Sequence, residues 1–130
     1  MKPYFWLFCV LYAFVYSNFA VPSDVCENKI LLEKHSPSKT TMAVLFVRSC
    51  KEKAWPTVNV TILLSSDKSW LKEGNVYISE GYPEHYSIEW SSENVLSITS
   101  DAWNEWLKSD VYSLIDPKTN LIYTVQIKYE

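Results

Sequence analysis

The chain has 130 residues, 48% of them hydrophobic and 21% charged, with two glycines. This composition excludes a disordered or collagen-like protein and indicates one folded domain. Lys2 is the only charged residue among residues 1–20. Residues 21–130 therefore contain eleven basic and fifteen acidic side chains and have a net charge of −4. The largest basic cluster, Arg48, Lys51 and Lys53, encloses Glu52, which argues against a nucleic-acid partner.

The N-terminus predicts a targeting segment. Lys2 precedes a charge-free run from Tyr4 to Tyr16, and small residues follow it. Residues 1–20 are therefore predicted to be a signal peptide, cut between about residues 17 and 23. The uncharged run is also about as long as a membrane-spanning helix, so an uncleaved anchor is the alternative. Both predict export: a periplasmic or secreted protein, or one that meets the membrane only through this N-terminal segment.

Two cysteines, Cys26 and Cys50, follow the leader, whereas Cys9 lies within it. In an oxidising compartment such an even pair predicts a disulfide. The bond would close a loop of about 25 residues, a spacing unlike the Cys-x-x-Cys of redox-active pairs. We therefore expect a structural disulfide.

Residues 21–130 show a hydrophobic period of two, which predicts a single all-β domain. Serine, proline, asparagine and aspartate mark the turns, most strongly at Asp116-Pro117-Lys118-Thr119-Asn120. We expect a small antiparallel β-sandwich or meander of about seven or eight strands built from hairpins. The predicted strands cover residues 30–33, 41–48, 57–64, 75–79, 86–90, 95–99, 111–115 and 121–129.

Residues 101–108 break this alternation. Trp103 and Trp106 are three positions apart, and Ser100 or Asp101 has the chemistry of a helix N-cap. The segment predicts a short helix.

Several positions after the leader occur in a characteristic order: Cys26, the turn Ser36-Pro37 with Lys39, a strand ending at Cys50, the strand Gly74-Asn75-Val76-Tyr77-Ile78 and the ending Ile127-x-Tyr129-Glu130. In this order the chain resembles a family of small exported bacterial proteins of uncharacterised function. The resemblance implies architecture and export, and it implies no activity. Members of that family usually have Gly-Ala-Thr-Thr after the second cysteine, where this chain has Lys51-Glu52-Lys53-Ala54-Trp55. A function carried by that loop would be altered here.

Tryptophan is abundant outside the leader. Trp55, Trp103 and Trp106 lie in or near predicted loops, which makes them candidate binding aromatics for a sugar or a peptide. The alternative is that they fill the core, the usual role of aromatic side chains in small β-domains.

Catalytic signals are weak. The chain has no Gly-x-Ser-x-Gly, no glycine-rich phosphate loop and no His-Glu-x-x-His, and its two histidines are His35 and His85. Glu84-His85, beside a turn, is the best candidate for proton transfer or metal binding, but a zinc site needs three or four ligands. We therefore assign no catalytic residue, no metal ligand and no cofactor.

These observations favour a non-enzymatic cell-envelope or secreted protein that binds a protein, peptide or glycan partner through a β-face or edge. The alternative is a small hydrolase or metal-dependent enzyme with a site assembled from distant loops.

Overall fold

Nine β-strands form in the part of the chain that the structure, a computed structural model, describes: residues 25–53, 55–67 and 73–130. The predicted leader lies outside these ranges. Within them, no helix is long and apolar enough to cross a bilayer. The strands are β1 (Cys26–His35), β2 (Thr41–Cys50), β3 (Thr57–Leu64), β4 (Tyr77–Gly81), β5 (Ser87–Ser92), β6 (Val95–Thr99), β7 (Ala102–Lys108), β8 (Val111–Ile115) and β9 (Ile122–Tyr129), with a short 3-10 helix at Pro83–His85 between β4 and β5.

The strands form two sheets, one of five strands in the order β1-β2-β3-β4-β7 and one of four in the order β5-β6-β9-β8. All neighbours pair antiparallel except β6 and β9, which run parallel. One buried cluster takes side chains from both sheets, among them Leu45 and Tyr77 from the larger sheet and Leu96 and Val125 from the smaller. The predicted all-β sandwich is confirmed, with nine strands and with one parallel pair that consecutive hairpins alone do not produce.

The helix predicted over residues 101–108 is wrong, because Ala102–Lys108 form the edge strand β7. An isolated helix of this length is unstable, since its nucleation is costly and it gains few hydrogen bonds. As a strand, the segment bonds to β4 and turns Glu105 toward the hydroxyl of Tyr77, which donates a hydrogen bond of 2.8 Å. Pairing with β4 therefore overrides the helix-like spacing of the two tryptophans.

The larger sheet is buried on both faces along β2 and β3. Ala43 and Leu45 belong to the core between the sheets, so the alternating residues Val44 and Phe46 face outward, where they form a second buried cluster with Met42 and Leu63. The connection between β3 and β4 lies against the same outer side: the backbone N–H of Gly74 donates 3.0 Å to the side-chain oxygen of buried Asn59.

The predicted disulfide joins the open end of the β1–β2 hairpin. Cys26 and Cys50 are paired across the two strands, with 4.0 Å between their Cα atoms, and a bond links their sulfurs. At the other end of the hairpin a tight turn spans Ser36 to Thr41, and Lys39 adopts a left-handed conformation with φ of 64°. Turn and disulfide together fix the register of the first two strands.

We predict that replacing both cysteines, C26A with C50A, lowers the free energy of unfolding by about 3 kcal/mol, because the unfolded chain is no longer held in a loop of about 25 residues. Urea unfolding with and without reductant measures this loss. The reduced wild type should match the double variant, and the variant should not respond to reductant. Equal stability of wild type and variant would contradict a stabilising role.

Glu93, in the β5–β6 turn, ties the smaller sheet to the β1–β2 turn of the larger one. Its carboxylate accepts hydrogen bonds from the Ser36 hydroxyl at 3.0 Å, from the Ser38 backbone N–H at 2.7 Å and from the Ser38 hydroxyl. The bonds from Ser38, followed by the one from Ser36, hold the pKa of Glu93 below its ordinary value of 4.5. The charged carboxylate is thus the form that the folded state prefers.

A lowered pKa in the folded state adds stability that is present above the ordinary pKa and is lost as the pH falls through the folded value. We therefore predict that E93Q destabilises the domain at pH 7 and flattens the loss of stability that the wild type shows below pH 4.5. Urea unfolding across pH 3 to 7 measures both effects. The control is E89Q on the exposed side of β5; an identical pH profile for E93Q and wild type would refute the role of Glu93.

Candidate binding face

Two β-bulges interrupt the pairing of β7 with β4. The register shifts once between Ile78 and Ser79 and once between Glu80 and Gly81, and the residues of β7 left without a partner at these shifts are Trp106 and Trp103. A bulge adds a residue to one strand and changes where its side chain points. Both tryptophans therefore occupy positions at which the edge strand departs from regular pairing.

The bulges place both indoles on the outer side of the larger sheet. Trp106 follows the inward-facing Glu105 at one bulge, in the same position that Trp103 holds after the core residue Ala102 at the other. Ser79 also faces inward, where its hydroxyl lies 2.8 Å from that of Tyr86, so Glu80 faces outward. Trp103 donates its indole N–H to the Glu80 carboxylate at 3.2 Å and thus lies on the outer side as well. In a regular strand, residues three apart would point to opposite faces.

Trp103 is ordered although it is exposed. Its side chain is 56% exposed, yet it packs edge-to-face against Tyr82, with 5.2 Å between ring centroids and an interplanar angle of 74°. Tyr82 in turn contacts the ring of His85 at 5.6 Å. The bond to Glu80 fixes the remaining rotation of the indole. An exposed ring held by two neighbours has already lost much of the side-chain entropy that binding would otherwise remove.

Trp106 is 49% exposed. The ammonium of Lys53 lies 4.6 Å from the centroid of the Trp106 ring and makes a cation–π contact with it. Lys53 comes from the β2–β3 connection, which also holds Trp55, 67% exposed. No ring contact joins Trp55 to the other two tryptophans among the described residues. We define the aromatic face as Tyr82, Trp103 and Trp106 with the flanking charges Glu80 and Lys53.

Tyr77 anchors this face from inside. Its hydroxyl donates to Glu105 at 2.8 Å and lies 3.0 Å from the hydroxyl of Ser100. Burial raises the pKa of Tyr77 above its ordinary value of 10.0, so the phenol stays protonated and remains a donor at neutral pH. Because Glu105 lies between the two tryptophans, the bond from Tyr77 fixes the strand that carries both.

Gly81 permits the turn that follows β4. A Cβ atom at this position would lie 2.1 Å from the hydroxyl of Tyr86, so a larger residue would displace that buried ring. Tyr86 reaches past the glycine to the hydroxyl of Ser79. The close approach brings the segment that carries Tyr82 and His85 beside β7.

His85 and Asp101 form an exposed pair at one end of the aromatic face, with 3.1 Å between the imidazole Nδ1 and the carboxylate. Such a carboxylate can orient an imidazole for proton transfer. Among the described residues no group of three or more histidine, cysteine, aspartate or glutamate side chains could hold a metal ion. His35 lies elsewhere, with its Nδ1 3.1 Å from the hydroxyl of Ser65.

The structure thus places Trp103 and Trp106 on one face and leaves Trp55 nearby in a loop without a ring partner. All three candidate aromatics are exposed, and none fills the core. Sequence reasoning missed Tyr82, Glu80 and Lys53 as members of this face. The cluster Glu80-Gly81-Tyr82-Pro83 held one signal, an aromatic residue inside a polar turn.

Comparisons with known protein families, with curated proteins and with solved structures found no match for this chain. The resemblance to small exported bacterial proteins therefore stays a prediction. The function has to be inferred from the residues themselves.

We predict that Y77F lowers the free energy of unfolding by about 1 kcal/mol, because it removes the hydroxyl that holds Glu105. The loss should be local as well: relative to the wild type, Y77F should accelerate amide hydrogen exchange more in β7 than in β2 or β3. Y123F is the matched control, since the Tyr123 hydroxyl has no hydrogen-bond partner among the described residues. Unchanged exchange of the β7 amides in Y77F would contradict the anchoring role.

Proposed function

We propose that the protein is a non-enzymatic exported binding protein that holds a glycan on its aromatic face. The observation that carries the proposal is Trp103, an exposed indole fixed at a bulge by Tyr82 and Glu80. Nothing in the packing of the core requires a large aromatic side chain at this exposed position. Exposed, ordered aromatic clusters of this kind mark interaction sites.

The chemistry of the face suits a sugar. Aromatic rings offer flat apolar surfaces on which the C–H faces of a sugar ring can stack. The carboxylate of Glu80 accepts hydrogen bonds from hydroxyl groups, and the ammonium of Lys53 donates them. A few placed polar groups among aromatic side chains are the usual composition of a small-molecule or glycan site.

A peptide added to β7 as a further strand is a poorer fit. β-Augmentation requires a regular row of free backbone N–H and C=O groups. The bulges at Trp103 and Trp106 interrupt that row, and such bulges are a common way to protect sheet edges. Side chains, and not the β7 backbone, therefore supply the contacts in this proposal.

Export belongs to the same proposal. The charge-free apolar run from Tyr4 to Tyr16 supports a signal peptide or an anchor, and the Cys26–Cys50 disulfide is typical of oxidising compartments. A binding face directed at glycans suits a protein of the cell envelope or the extracellular space.

A second candidate function is hydrolysis, which the contact between His85 and Asp101 favours. Asp101 is placed to orient the imidazole of His85, and Glu84 precedes His85 on the short 3-10 helix. This alternative predicts turnover of a bound substrate that is lost in H85A.

We predict that soluble hexasaccharides of glucose or N-acetylglucosamine, or a sugar identified on a glycan array, quench the tryptophan fluorescence on binding. W103A and W106A should each weaken binding about tenfold, ~1.4 kcal/mol, because each removes a stacking surface. W103F should retain most of the affinity, since it keeps an aromatic ring. Calorimetric titration measures the dissociation constants.

I115A, which removes an exposed apolar side chain from the other sheet, is the control and should bind like the wild type. Absence of glycan binding at millimolar concentration, or equal binding by W103A and wild type, would refute the proposed site. Hydrolysis of a bound sugar that H85A abolishes would replace it with the enzymatic alternative.

A further inference from the structure

The sandwich has four edge strands, and three of them are protected. β1 has a bulge between Ile30 and Leu32, β5 has one between Trp90 and Ser92, and β7 has two. Each of the three also carries charged side chains. Bulges and charges are the devices by which natural sheets prevent further pairing at their edges.

The fourth edge, β8, has neither device. Its sequence is Val-Tyr-Ser-Leu-Ile, without charge or proline, and it pairs with β9 in an unbroken register from Val111↔Gln126 to Ile115↔Ile122. Val111 is 55% exposed, and Ile115 and Ile122 are 63% and 64% exposed. Among the described edge strands, β8 alone is regular, uncharged and apolar.

The backbone of β8 is also available. The Asp110 carbonyl accepts from the Ile127 N–H, and the Asp116 N–H donates to the Leu121 carbonyl, both toward the β9 side. Backbone groups alternate sides along an antiparallel strand, so those of Val111, Ser113 and Ile115 point away from β9. Within the described residues they have no hydrogen-bond partner.

We propose that β8 accepts an extended segment of a partner protein as a fifth strand of the smaller sheet, and that this segment has alternating apolar residues with lysine or arginine at both ends. Main-chain hydrogen bonds to Val111, Ser113 and Ile115 supply the pairing. The apolar side chains of Val111 and Ile115 meet the alternate residues of the incoming strand.

The charges of the partner segment follow from the ends of β8. Asp110 precedes the strand and Asp116 follows it, so each end presents a carboxylate beside an uncharged centre. A second copy of this chain is disfavoured as the occupant. Pairing of two β8 strands about Ser113 would set Asp110 of one copy opposite Asp116 of the other at both ends, and like charges placed opposite each other destabilise a strand pair.

The probe is a fluorescein-labelled peptide, Lys-Val-Thr-Val-Thr-Val-Lys, and its binding is followed by fluorescence anisotropy. We expect S113P to weaken binding at least about tenfold, because proline removes a donor and blocks approach. The fold should survive, since the Ser113 N–H faces away from β9 and proline is tolerated at such edge positions. The urea midpoint of S113P checks this.

A second measurement leaves the protein unchanged. The same peptide with N-methylated backbone amides at its central residues should bind at least about tenfold more weakly. A peptide with glutamate in place of both lysines should also bind more weakly, and the double variant D110N/D116N should lose this preference. Asparagine at 116 keeps the acceptor that receives the Lys118 N–H.

Three results would overturn the proposal. The first is absence of binding of the lysine peptide at millimolar concentration. The second is equal binding of the methylated and unmethylated peptides. The third is a wild-type dimer in sedimentation equilibrium that S113P converts to monomers, which would make a second copy the occupant. None of these results depends on glycan binding, because β8 and the aromatic face lie on different sheets.

Discussion

The hydrogen bond from the Tyr77 hydroxyl to Glu105 is the constraint on which the aromatic face depends. β7 is an edge strand with two bulges, so its ladder with β4 alone would leave its register weakly determined. Burial keeps the Tyr77 phenol protonated, and its hydroxyl fixes Glu105, one of the two residues that lie between the two tryptophans. The orientation of Trp103 and Trp106 is thus determined from the core, although neither indole is part of the core.

The opposite side of the sandwich is closed by polar contacts. Trp90 on β5 donates its indole N–H to the Lys34 carbonyl on β1 at 2.8 Å, and Glu93 binds the β1–β2 turn nearby. The disulfide then holds the far end of the same hairpin. These contacts join the two sheets along β1 and β5. On the side of β7, the Lys108 ammonium lies 4.5 Å from the centroid of the Tyr129 ring on β9, and the Tyr129 hydroxyl donates to the Ser109 carbonyl at 2.6 Å.

The sequence predicts the sandwich because most strands keep a period of two between turns with clear chemistry, as in Val95–Thr99 and Val111–Ile115, where prediction and structure coincide. It fails at β7 for a physical reason. Each bulge inserts a residue, so two bulges convert alternation into the three-residue spacing of a helix. The parallel pair of β6 and β9 depends on contacts distant in sequence, which local patterns do not record. The tryptophans were identifiable from their position, whereas Tyr82, Glu80 and Lys53 join them only through the folded register.

The order of strands also bears on how an anchored form could work. β1 follows the predicted leader directly, and β1 and β7 are the two edges of the same sheet with three strands between them. A leader retained as an anchor would therefore enter the domain at the edge remote from β7. The aromatic face lies on the outer side of that far edge, and β8 lies at an edge of the other sheet. The disulfide, however, joins Cys26, at the start of β1, to Cys50, and Lys53 of the aromatic face follows Cys50 by three residues. The N-terminal segment and Lys53 therefore meet the domain at the same end of the β1–β2 hairpin, so a retained anchor would bear on access to the Lys53 side of the aromatic face and not on β8.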